Sequence, residues 1–110
     1  MNFNVNITAD KSIEVVHTKF KSEFSYQEQF SAMSQLNDVV KSFNGFDSRT
    51  FYYSVELSSW VDFVVWENED VAKEAAEEIM KNATALEVFS MINEEETIFT
   101  HYGLKGGLES

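Results

Sequence analysis

Cysteine and proline are both absent from this 110-residue chain, and glycine occurs only four times. Without cysteine there can be no disulfide, no thiolate metal site and no cysteine nucleophile, a composition that suits a reducing compartment. Without proline, the breaks between elements must come from glycine, asparagine and serine. The glycines stand at positions 45, 103, 106 and 107, which leaves no Gly-rich phosphate loop, and no nucleophile elbow occurs either. Long apolar runs are missing too: none approaches the roughly 20 residues of a membrane helix. Residues Met1–Thr8 carry neither a basic segment nor a continuous apolar one, so no secretory signal is expected and the expected location is cytoplasmic.

Basic residues are scarce, 8 against 19 acidic ones, for a net charge of −11. Such a surface repels phosphate backbones and anionic headgroups, so neither nucleic acid nor membrane is an expected partner. The acid is concentrated between residues 67 and 96, where ten carboxylates face only Lys73 and Lys81. A solvated helix face is the expected reason; a docking surface for a basic partner is the alternative.

Hydrophobic patterning is what the chain has in plenty, with 44% apolar residues and ten phenylalanines. Length and pattern indicate one domain over residues 1–110, with its core over about 12–102 and a flexible tail at 103–110. Phe3, Val5 and Ile7 alternate and suggest an extra edge strand. Ser12 to Phe20 is rich in β-branched residues and reads as the first strand. Ser25-Tyr-Gln-Glu28 is a capping box opening a helix whose apolar stripe runs through Tyr26, Phe30, Met33, Leu36, Val40 and Phe43. Asn44-Gly45 closes that region, with the glycine in the left-handed conformation. Strands follow at about 46–57 and 60–66. Asn68 caps a helix lined by Ala72, Ala75, Ala76 and Ile79, and Thr84-Ala-Leu-Glu87 looks like the capping box of a short helix. A strand over about 97–102 ends the pattern. The order β-α-β-β-α-(α)-β predicts a ferredoxin-like α+β fold, both main helices on one face of a four-stranded antiparallel sheet in the order 4-1-3-2.

Helices on one side leave the other face of the sheet bare. Within Trp60-Val-Asp-Phe-Val-Val-Trp66, Val61, Phe63 and Val65 suit a helix-covered core, which assigns Trp60, Asp62, Val64 and Trp66 to the bare face. A three-residue turn pairing Glu56 with Trp60 supports that parity. Two tryptophans in water would form a large apolar patch, so a second subunit is expected to cover them in a homodimer.

Gly45-Phe-Asp-Ser-Arg49, Trp60-Val-Asp62 leading to Trp66-Glu67, the alanine-rich helix and Ile98-Phe-Thr-His101-Tyr102 carry a family resemblance. Over about residues 12–102 the chain resembles the dimeric α+β-barrel proteins, in particular small members of the antibiotic-biosynthesis-monooxygenase-like group. The resemblance implies two sheets packed face to face, with a pocket between sheet and helices or at the barrel end. It implies no cofactor, because the group includes cofactor-free oxygenases that hold a phenolate or enolate while it reacts with dioxygen. Haem is not an expected ligand, since the haem-degrading branch carries an axial histidine on its second long helix and this chain has none between residues 18 and 100.

Seven residues are candidates for chemistry. Asp62, in an apolar strand, must be paired, hydrogen-bonded or protonated. It is either a general base or an interface acid bonded to Arg49, a tyrosine or a histidine. His17 and His101, on neighbouring strands, join it in an acid–base group if they share a face; a two-His-one-carboxylate metal site is the less favoured reading, and no metal is expected. Tyr52 completes the catalytic set. Arg49, Trp60 and Trp66 are the candidate substrate-binding residues, Arg49 as a clamp for an anion or as the partner of Asp62. The expected activity is that of a cofactor-independent monooxygenase on a small aromatic or enolisable molecule. A non-catalytic dimer binding a small hydrophobic ligand is the alternative, and a purely structural dimer a third.

Overall fold

The computed structural model describes residues 8–110, so the edge strand expected at residues 3–7 lies outside the described residues. The elements are β1 (Ser12–Thr18), α1 (Tyr26–Lys41), β2 (Phe46–Ser54), β3 (Ser59–Trp66), α2 (Glu69–Ile79), α3 (Ala83–Phe89), a 3-10 turn (Glu94–Glu96) and β4 (Ile98–Gly103). All strand pairs are antiparallel in the order β2-β3-β1-β4. This is the ferredoxin-like α+β arrangement that the element order predicts.

The helix starts follow local chemistry. Ser25 accepts from the Glu28 N–H while the Glu28 side chain accepts from the Ser25 N–H, the reciprocal pair of a capping box. Asn68 caps α2 through the Val71 N–H. The cap of α3 is Asn82, whose side chain takes the Ala85 N–H, and not Thr84. Both residue types cap well, and here the backbone turns two residues earlier. All ten carboxylates between residues 67 and 96 are exposed, as a solvated face requires.

The parity of β3 is the reverse of the one inferred above. Trp60, Asp62, Val64 and Trp66 are buried against the helices, while Val61, Phe63 and Val65 point to the helix-free side. The turn explains part of the difference. Ser54 pairs with Ser59, so the connection is the four residues 55–58, with Ser58 in the left-handed region at φ 51°. Volume explains the rest. Ala72 and Ala75 of α2 leave room beside the sheet that a tryptophan fills and a valine would not. Trp66 fills it, edge-on to Phe46 and stacked near Phe43. At the other end of β3, Trp60 stacks on Tyr26, lies tilted against Tyr53 and donates its indole N–H to Gln29 Oε1 at 3.0 Å.

The helix-free face is therefore lined by Ile13, Val15, Val61, Phe63, Tyr52 and Tyr102, together with the exposed Ile98. It is largely apolar without either tryptophan, with His17, Thr50 and Thr100 among its polar members.

Gly45 joins α1 to β2 with φ +83°, and its carbonyl accepts from the Glu67 N–H at 2.8 Å. A Cβ there would lie 2.8 Å from the Cβ of Val71, inside the α2 first turn. Gly45→Ala is expected to combine left-handed strain with this overlap and cost roughly 1–3 kcal/mol, measurable as a lower urea midpoint with an unchanged m-value.

Candidate functional site

Between the covered face of the sheet and the three helices lies a cavity of about 180 Å³. Its walls are mostly apolar, from Met33, Leu36, Phe43, Trp66, Ile79 and Phe89 among others. Four polar residues break them: Glu14, Thr18, Asp62 and Thr97. Phe99, on the edge strand β4, is the most exposed of the lining residues at 49%.

Three of the four polar groups are already committed. Asp62 accepts two hydrogen bonds from Arg49, from Nε at 3.0 Å and from Nη2 at 2.9 Å. The Arg49 side chain is 2% exposed and also donates through Nη1 to the Met33 carbonyl and to Asn37 Oδ1, both at 2.7 Å. Its flat face lies 4.5 Å from the Phe51 ring centre. The Thr97 hydroxyl donates to the Asn93 carbonyl at 2.8 Å, so in its 2.7 Å contact with Thr18 the proton comes from Thr18.

Glu14 is the fourth, and it stands differently. It sits at the middle of β1, a central strand, opposite Val64 on one side and His101 on the other. Among the described residues no lysine or arginine is paired with it. Burial first, and the nearby Asp62 charge second, push its pKa from 4.5 up to about 7, against smaller downward pulls from the Trp66 indole and from Arg49. The Trp66 N–H is buried and short of a full hydrogen bond, yet close enough to favour the Glu14 anion. His101 Nε2 lies 3.7 Å from Glu14 Oε1, beyond a direct hydrogen bond, and is itself buried without a hydrogen-bond partner among the described residues. Burial holds the His101 pKa below its usual 6.5, while Glu69 pulls it up and Lys73 presses it down. Just below neutral pH the pair is thus a carboxylic acid beside a neutral imidazole. It can accept and return a proton at the cavity wall.

The structure gathers some of the sequence candidates and separates others. Asp62 and Trp66 line the cavity, and His101 stands behind Glu14. Arg49 does not line it; four of its five N–H groups donate to Asp62, Asn37 and Met33, the ion-pair arrangement that the sequence offered beside the anion clamp. Trp60 lies outside it, in the aromatic cluster at the start of α1. Tyr52 is on the helix-free face, edge-on to Phe63. His17 is exposed on that same face, opposite Val61, because it sits three residues from Glu14 and so on the other side of the pleat. The two histidines and Asp62 therefore do not converge. Sequence reasoning missed Glu14. Its signal was a carboxylate inside the β-branched run Ser12-Ile-Glu-Val-Val-His-Thr18, two positions from Val16 and four from Thr18 on the same face.

No protein-family model matches the chain, and no curated protein sequence matches it. Solved structures do. SnoaB, a cofactor-independent oxygenase from Streptomyces nogalater, superposes with a TM-score of 0.74 at 15% identity, over 93% of this chain and 100% of that one. A monooxygenase from the gene ActVA-Orf6 of Streptomyces coelicolor, solved with the ligand nanaomycin D, gives 0.73 at 16% identity over 98% and 99%. A dimeric ferredoxin-like protein of unknown function from Thermobifida fusca gives 0.70 at 10% identity over 94% and 100%. The chain has the fold of these proteins, which is the fold its sequence resemblance implies.

Two substitutions test the site. Asp62→Asn leaves the buried Arg49 without its counter-charge and is expected to cost about 3–5 kcal/mol, read as a lower denaturant midpoint. Glu14 has a raised folded pKa, so between pH 4.5 and about 7 the unfolded chain ionises while the folded one stays protonated. The ionisation penalty of its burial is therefore absent below pH 4.5 and grows to roughly 3 kcal/mol above neutrality. Glu14→Gln is expected to melt above the parent protein at pH 8, with the gap closing toward pH 4.5.

Proposed function

We propose that this chain is a cofactor-independent monooxygenase that acts, as a homodimer, on a small aromatic or enolisable molecule held in the cavity above Glu14. The observation that carries this reading is a carboxyl poised near neutrality at the wall of an apolar cavity, with an imidazole behind it. The oxygenase and monooxygenase among the similar folds support the reaction class. Glu14 as the carboxylate takes the hydroxyl proton of a phenol. The phenolate passes an electron to dioxygen, and the two radicals join through a new carbon–oxygen bond. Glu14 returns its proton to the peroxide. Loss of the ring C–H proton with the distal hydroxide then breaks the O–O bond. Phenol and dioxygen become quinone and water, with no external reductant.

The alternative is a dimeric module that binds a small hydrophobic ligand without turnover, favoured by the near absence of uncommitted polar groups on the cavity walls. An oxygen electrode separates the two. With a panel of phenols and naphthols, catalysis is expected to give oxygen uptake that Glu14→Gln lowers at least a hundredfold. Binding of the same compounds with no uptake favours the module.

The dimer rests on the helix-free face. Phe63, Tyr52, Tyr102 and Ile98 leave an apolar surface of a kind that monomers rarely expose, and one of the similar folds is dimeric. Light scattering is expected to give twice the 12.6 kDa chain mass, and Phe63→Asp to shift it toward the monomer.

A further inference from the structure

Building on the cavity proposed as the active site, we infer that it selects an uncharged single-ring molecule that donates one hydrogen bond to Glu14, and that Glu14 sets this specificity. Size limits the ligand first. A cavity of about 150 Å³ holds benzene, and this one, at about 180 Å³, takes one ring with a small substituent or two. Three fused rings exceed it. Phe43, Trp66, Phe89 and Phe99 supply flat apolar walls suited to such a ring.

Charge limits it next. Among the described residues no lysine or arginine lines the cavity, while two carboxyls do. The nearby cation, Arg49, is paired with Asp62, and both N–H groups of its Nη1 go to Asn37 and Met33. An anionic ligand would be desolvated beside Asp62 and Glu14 with nothing to pair with it. A primary ammonium is matched in sign to Glu14 but carries three N–H donors. The threonine protons are spent on each other and on Asn93, and Asp62 already accepts from Arg49, so the N–H groups that do not face Glu14 exchange their water for an apolar wall. A single hydroxyl leaves no donor unmet.

Calorimetric titration of the full chain at pH 8 with 4-methylphenol, toluene, 4-methylbenzoate, 4-methylbenzylamine and 9-anthrol tests this directly. The phenol is expected to bind at least tenfold tighter than the benzoate, the amine and toluene, and the three-ring compound to give no heat. Glu14→Leu is expected to bring phenol affinity down to that of toluene while toluene binding persists, which shows that the variant cavity is intact. Benzoate or amine binding as tightly as the phenol, equal affinity of the parent protein for phenol and toluene, or stoichiometric binding of the three-ring compound would each overturn the inference. Phenol binding as described but without oxygen uptake keeps the ligand class and removes the catalytic reading. Uptake driven by a compound outside the class does the reverse.

Discussion

Arg49 and Asp62 form the contact on which the rest of the interior is arranged. The pair joins β2 to β3, and the same guanidinium reaches α1 at the Met33 carbonyl and at Asn37. Three elements are thereby held at one point on the covered face, where an arginine side chain is 2% exposed. Burying two ions is costly, and such a pair gains little net stability over an apolar replacement. Its effect here is positional. It sets α1 over β2 and β3, and it uses up the cation that would otherwise neutralise Glu14.

The electrostatics of the cavity follow from that. Arg49 is paired with Asp62, and the Asp62 charge adds to burial in pushing Glu14 toward neutrality. Phe46, Trp66 and the small α2 residues close the space around Glu14, and His101 occupies the neighbouring position on β4. One strong ion pair and one unmatched acid, on adjacent strands of one face, give the cavity its polarity.

Much of the fold was legible from sequence because its signals are local. The capping box at Ser25, the cap at Asn68, the left-handed Gly45 and the alanine face of α2 each act within a few residues and stand where the pattern puts them. The face assignment of β3 was not local. It depends on a four-residue turn and on which tryptophan volume fits beneath Ala72 and Ala75, a property of two elements far apart in the chain. That reversal carried Asp62 and Trp66 from a supposed interface into the covered core, and it left Tyr52 and His17 on the open face. The pairing of Arg49 with Asp62 was among the alternatives the sequence offered for that acid. Glu14 escaped notice because a glutamate in a β-rich run is commonly a solvent-facing residue, and only the strand order β2-β3-β1-β4 shows that β1 is central and that this face of it is covered.

The account stands on Glu14 being a buried acid that exchanges its proton near neutrality at the cavity wall. Carbon-13 NMR of the glutamate side-chain carboxyls across pH 3 to 9, with Glu14 assigned by its loss in Glu14→Gln, measures that directly. The account predicts that Glu14 titrates at about 7, above the ordinary glutamate value of 4.5. A Glu14 carboxyl that titrates at that ordinary value would contradict it.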